Sequence, residues 1–238
     1  MRTFAVWLWV AGAALLAAEP EITLPIRFHL TQGVKMTVKG QEMETWVQPG
    51  DLTGPVLAEI NRIWKPAGIR FVVERAQAEP LLKLANQAEL IRIVENSQRG
   101  EEEIPGSGRT AAIGKLLDPA QRHPAALNVY LLPYIGATYQ GYANLGGKQA
   151  VIGVWTDKAS RAERPPVKAL LVESEPMRVG SLARTIAHEL GHNLGLVHPD
   201  RAESSKVGRL MGGGKQGYAL TDEEITKARK IALKHAGK

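Results

Sequence analysis

The sequence predicts an α+β domain in which a twisted mixed β-sheet packs on two long helices, with a further helix near the C-terminus. Three observations carry this expectation. Alternating strand formers occupy residues 22–30, apolar residues recur at helical spacing from Val56 to Trp64, and apolar strand-like runs return at 127–132 and 150–155. The expected order is strand, helix, several strands, a helix carrying the histidines, an irregular segment and a C-terminal helix.

The first strand is expected at 22–30, with further extended chain between Val34 and Val47. Asp51-Leu52-Thr53-Gly54-Pro55 marks a helix start, with proline early in the first turn. Val56, Leu57, Ile60, Ile63 and Trp64 then form one buried face, and Pro66 and Gly68 stop the helix. A strand follows at 69–73. Residues 81–94 have helical character, 98–109 form a charged, glycine-containing excursion read as a surface insertion, and a short helix is expected near 111–117.

Leu127 to Leu132 is a strong strand. Two more are expected at 138–145 and 150–155, separated by Gly146-Gly147. A long loop carrying Pro165, Pro166 and Pro176 leads to a helix beginning near Gly180-Ser181. Thr221-Asp222-Glu223-Glu224 is a capping box ahead of Ile225, Ala228 and Ile231, and it announces the last helix.

Composition narrows the class. The 238 residues include a short apolar run from Phe4 to Ala18 behind Arg2, the layout of a secretory signal peptide and too short for a membrane span. Residues 1–18 are therefore expected to be a removed leader and 19–238 a single domain, secreted or periplasmic. No other stretch is long and apolar enough to cross a bilayer. The chain has no cysteine, which excludes a disulfide framework and a cysteine-linked lipid anchor. The formal charge of +6 comes from basic residues interleaved with acids, as in Arg161-Ala162-Glu163-Arg164, a solvated surface rather than a nucleic-acid site.

The chemistry is concentrated at 188–198, which read H-E-L-G-H-N-L-G-L-V-H and hold three of the six histidines. His188 and His192 are four apart on an expected helix, so both imidazoles project from one face about a turn apart. Tetrahedral zinc at a catalytic site takes three protein ligands and keeps a fourth position open. His198 supplies the third ligand if the chain turns back after the helix, and Gly195 allows that turn by adopting positive φ. Glu189 is rotated about 100° from His188, beside the metal rather than on it. There it can act as the base that takes a proton from a water the zinc acidifies, and pass it to a leaving nitrogen.

With these residues the stretch resembles the metzincin clan of zinc endopeptidases, whose extended histidine motif is followed by a methionine turn beneath the metal. Met211, in Gly208-Arg209-Leu210-Met211-Gly212, fits that turn. The stretch from Ile60 to Ile69 is similar to the end of the clan's first long helix. The resemblance implies one catalytic zinc ion, a metzincin-like fold, and a protein or peptide substrate binding as an extended strand along a sheet edge, for which 138–145 is the candidate. It implies hydrolysis of internal peptide bonds by a monomer, with no nucleic-acid or membrane partner after leader removal. Gly213 stands where some members carry a tyrosine ligand, so none is expected here, and Tyr218 has no assigned role. Pro199 follows the third histidine as in serralysin-like enzymes, without their glycine–aspartate calcium repeats, and the cysteine latch of matrixin-like enzymes is excluded. The subfamily stays open.

Asp200 is a candidate to orient a ligand histidine, and equally a loop acid. Gly212 to Gly214 lend flexibility to a pocket wall, or form a plain turn. His29, His123 and His235 lack ligand-like spacing and read as structural or exposed. The rival to a peptidase is a zinc-binding extracellular adhesion or interaction module without turnover, which has no need of Glu189.

Overall fold

The computed structural model describes residues 20–38, 40–79, 88–92, 117, 120, 122–135, 140–157, 174–176, 178–199, 208–212 and 217–237. The expected leader, the excursion at 98–109, most of the expected helices at 81–94 and 111–117, Asp200, and Gly213 and Gly214 lie outside them. Residues 88–92 are helical.

The fold is α+β, as expected. A five-stranded sheet has the order β4-β1-β5-β7-β6. Its strands are β1 (Ile22–Thr31), β4 (Ile69–Glu79), β5 (Leu127–Leu132), β6 (Gly141–Ala143) and β7 (Gln149–Gly153). β1 runs parallel to β4 and β5, β5 parallel to β7, and β6 closes one edge antiparallel to β7. Strand β4 is longer than the 69–73 expected, and its pairing with β1 shifts register between Ile26 and Arg27. Beyond that shift Arg27 meets Glu74 through two hydrogen bonds of 2.7 and 2.9 Å, so polar pairing continues a strand whose apolar alternation has faded.

The two sheet faces have separate cores. β5 alternates between them: Leu127, Val129 and Leu131 pack with the helices, while Tyr130 and Leu132 pack beneath the other face with Val34, Met36, Met43 and Val151. The second core is covered by the hairpin of β2 (Lys35–Val38) and β3 (Gln41–Glu44), the extended chain expected between Val34 and Val47.

On the first face lie α1 (Pro49–Thr53), α2 (Pro55–Trp64), α3 (Val179–Asn193) and α4 (Asp222–His235). Gly54, at φ −106° and ψ −107°, separates α1 from α2, so the helix start expected at 51–55 is an interruption between two helices. Val56, Ile60, Ile63 and Trp64 are buried, as their spacing requires, and Gly68 ends the turn after α2 in the left-handed region at φ 59°. Trp64 donates its indole N–H to the Ala187 carbonyl at 3.3 Å and so fixes α2 against α3. The capping box of α4 forms as read: Glu224 N–H donates to Thr221 Oγ1, and Thr221 N–H donates to Glu224 Oε2.

Two strand expectations are corrected. Of the strand expected at 138–145, residues 138 and 139 lie outside the described residues, and β6 ends at Ala143 because Asn144 to Gly147 form a turn in which Gly147 N–H donates to the Asn144 carbonyl. The stretch 150–155 divides at Val154. β7 stays in the sheet, whereas β8 (Trp155–Asp157) leaves it to pair antiparallel with β9 (Ser174–Pro176). Pro176 is therefore in a strand rather than a loop. Among the described residues no helix is long and apolar enough to cross a membrane.

Candidate metal centre

Helix α3 carries His188 and His192 on one face and ends at Asn193. Gly195 then adopts φ 82°, with its N–H donating to the His192 carbonyl at 2.9 Å while Leu196 N–H donates to Gly191 O at 2.9 Å. This reversal returns the chain so that His198 faces the helix. The three side chains offer ligand atoms within 4.8 Å of one another, and their ring centroids are 4.8 to 5.1 Å apart.

The hydrogen bonds around the rings decide what these nitrogens can do. His188 donates Nδ1–H to the Leu210 carbonyl at 2.7 Å, and His192 donates Nδ1–H to the Leu196 carbonyl at 2.8 Å. Carbonyls only accept, so each bond places the ring proton on Nδ1 and leaves Nε2 with a free lone pair. Burial pushes His188 down to about 3, against the Leu210 hydrogen bond and helped by the neighbouring histidines and Arg184. Burial also lowers His192, and it lowers His198, the most exposed of the three. All three rings are neutral at pH 7, the form a metal requires.

A tetrahedral ion bound at about 2.0–2.1 Å separates its ligand nitrogens by about 3.3 Å. The 3.0 Å between the Nε2 atoms of His188 and His198 and the 4.8 Å limit of the cluster bracket that spacing. Three neutral imidazoles without a thiolate or carboxylate suit zinc, and the donor set fits it.

Glu189 is 4% exposed and its Oε2 has no hydrogen-bond partner. Burial raises its carboxyl to about 8, with the Arg184 guanidinium acting against the shift. It packs against the sheet edge: a methyl built on Gly141 would lie 2.7 Å from Glu189 Cγ and 2.8 Å from Oε1. Close approach of β6 to this carboxyl therefore needs glycine. Tyr142, on the same strand, packs instead with the second core, where burial first and the Glu189 charge second raise its phenol.

Met211 is buried beneath the helix. A methyl at Gly191 would lie 2.6 Å from its Sδ and 3.6 Å from Trp64, so Gly191 lets the methionine reach α3. Two expectations separate here. Met211 packs against Gly191 of the histidine helix, while Tyr218 is exposed with Arg62 over its ring at 5.3 Å.

Sequence reading missed Gly141, Arg184 and the carbonyls of Leu196 and Leu210. Backbone acceptors leave no trace in side-chain spacing, and Gly141 has a reason only once β6 and α3 are adjacent. Of the remaining histidines, His235 donates to the Asn193 carbonyl at 3.1 Å, His29 is buried and His123 half-buried.

No protein-family model and no curated protein matches the chain. Among solved structures, a zinc-dependent peptidase from Methanocorpusculum labreanum (strain Z) is 12% identical, with 86% of this chain and 99% of that chain covered and a TM-score of 0.38. A chaperone–substrate complex is 13% identical, covering 90% of this chain but only 35% of that one, at a TM-score of 0.40. Neither likeness is close enough to carry a functional argument, which rests on the site itself.

Proposed function

We propose that the chain is an exported zinc endopeptidase of metzincin type, with one zinc ion held by His188, His192 and His198 and with Glu189 as its general base. The observation that carries this reading is a pairing. His188 and His192 each hold their ring proton on Nδ1 against a carbonyl, His198 brings a third ring nitrogen within 4.8 Å, and the residue after His188 is a buried carboxyl with an unpartnered oxygen.

Zinc bound there would supply a Lewis acid for the scissile carbonyl and an acidified water as nucleophile. The protein's own groups do the rest. The Leu210 and Leu196 carbonyls hold the rings so that Nε2 faces inward. Glu189, when ionised, accepts the water proton, and the proton affinity that burial raises lets it hold that proton and then release it to the departing amine. The outer edge of β6 offers backbone groups to an extended peptide, and the Gly141–Glu189 contact sets that edge beside the base.

The test is purified protein against a mixed peptide library read by mass spectrometry, comparing wild type, Glu189→Ala and chelated protein. Cleavage at internal bonds should vanish on chelation and fall by about 10²–10⁴-fold in Glu189→Ala, with zinc retained. Equal cleavage by Glu189→Ala and wild type would reject the mechanism. Zinc binding without any cleavage would leave the interaction module.

A further inference from the structure

Arg184 lies on α3 one turn before His188 and is only 7% exposed. Its Nε donates to the Gly217 carbonyl at 2.9 Å and its Nη2 to the Leu210 carbonyl at 3.2 Å. The Leu210 carbonyl is the same one that accepts His188 Nδ1–H. A single backbone oxygen therefore receives a guanidinium and an imidazole from successive turns of one helix, which i,i+4 spacing places on one face.

The segment that brings this oxygen has little regular structure of its own. Its described parts close on themselves through Leu210 N–H to Ala219 O and through the N–H groups of Tyr218 and Ala219 to Gly208 O. Arg184 reaches both limbs of that closure, at Leu210 and at Gly217. Other contacts also attach the segment: Met211 against Gly191, and Arg209 to Glu224 at 2.7 Å.

We propose that Arg184 is a positioning residue: its guanidinium fork fastens the backbone at Leu210 and at Gly217 to α3 so that the Leu210 carbonyl meets His188 Nδ1–H and turns Nε2 toward the metal. This rests on the zinc reading above. Hydrogen bonds from a buried cation are stronger than neutral ones, and two of them in a rigid fork fix two backbone acceptors at once. Lysine keeps the charge but loses the rigid planar fork that meets two fixed carbonyls at once. Methionine fills the space and offers no donor.

The experiment compares wild type, Arg184→Lys and Arg184→Met with ¹⁵N-labelled imidazoles. In the metal-free wild type, His188 Nδ1–H and His192 Nδ1–H should both exchange slowly with solvent. In the variants His188 Nδ1–H should lose protection, while His192 Nδ1–H, bonded to Leu196 O, keeps it. Zinc affinity, measured by chelator competition, should weaken about 10–100-fold, more in Arg184→Met than in Arg184→Lys. Wild-type protection and zinc affinity in folded variants would overturn the proposal, and so would equal loss at both rings, which marks general loosening. If Arg184→Met does not fold, Arg184→Lys decides. If wild type binds no zinc, the zinc reading fails, yet the His188 signal in metal-free protein still settles what Arg184 does.

Discussion

The protein builds two histidine-centred sites on opposite faces of one sheet, and they end in opposite states. On the helix face, His188 and His192 each spend Nδ1 on a backbone carbonyl, and the Nε2 atoms of His188 and His198 lie 3.0 Å apart. On the other face His29 is fully buried. Its Nδ1 meets Glu79 Oε2 at 2.9 Å, its Nε2 meets Asn128 Oδ1 at 3.0 Å, and its ring stacks on Tyr130 with centroids 4.4 Å apart. The Asn128 amide nitrogen donates to the carbonyls of His123 and Ala126, so Oδ1 must accept and His29 Nε2 must carry a proton. One site gathers three ring nitrogens round a point, with no carboxylate or amide among their partners. The other has every ring atom committed. Function follows the unfilled valence, not the residue type.

The comparison breaks most visibly at His29. Removing one partner of a buried pair costs about 3–5 kcal/mol. His29→Ala should therefore lower the melting temperature by about 2–4 °C for each kcal/mol, with the folded fraction keeping wild-type zinc affinity. Loss of zinc in a folded His29→Ala protein would show that the two faces are coupled.

Gly141→Ala comes next. The added methyl must displace the Glu189 side chain, and a misplacement of about 1 Å costs on the order of 10²-fold. A fall of that size in kcat/KM, with zinc content unchanged, is expected from steady-state kinetics. Unchanged kcat/KM would remove the edge strand from the site.

The metal-free protein should also show a narrow optimum of stability with pH. Glu189, raised to about 8, keeps its proton in the folded state while the unfolded chain releases it near the usual value, so stability falls as pH rises between those two points. His188, lowered to about 3, gives the opposite slope: stability falls as pH drops from the ordinary imidazole range toward 3. Between about 4.5 and 6.5 the Glu189 and His188 slopes offset each other, and His192 and His198, also lowered by burial, add to the acid-side loss, so the maximum lies toward the upper end of that interval. Glu189→Gln should raise the melting temperature at pH 8 by a few degrees and flatten the alkaline limb. An identical limb in wild type and Glu189→Gln would locate the loss elsewhere. The smallest effect is expected at Thr221→Ala, which removes the α4 cap and costs about 1 kcal/mol in chemical denaturation without altering zinc binding.

How much of this the sequence disclosed depends on whether a feature is local. The histidine helix, the Gly195 reversal and the α4 capping box each lie within a few residues, and their spacing encodes them. Strand β6 was expected too long because alternation at 138–145 does not reveal that Asn144 turns the chain. The His29 network joins residues 50 and 99 positions apart, and the Arg184 fork joins residues 26 and 33 apart. No local pattern announces pairs that meet only after β1, β4 and β5 have aligned, or after the backbone at Leu210 and at Gly217 has docked on α3. Pro176 was read as loop because proline breaks ladders, yet it sits at the end of a short two-stranded pair outside the main sheet, where proline is tolerated.

The central claim is that three imidazoles with free nitrogens form a metal site. Metal analysis of purified protein after zinc loading and desalting tests it most directly, with His192→Ala and His29→Ala loaded in parallel. One zinc per chain in wild type and in folded His29→Ala, and none in His192→Ala, is the predicted result. Wild type without stoichiometric zinc, or His192→Ala retaining it, would contradict the account.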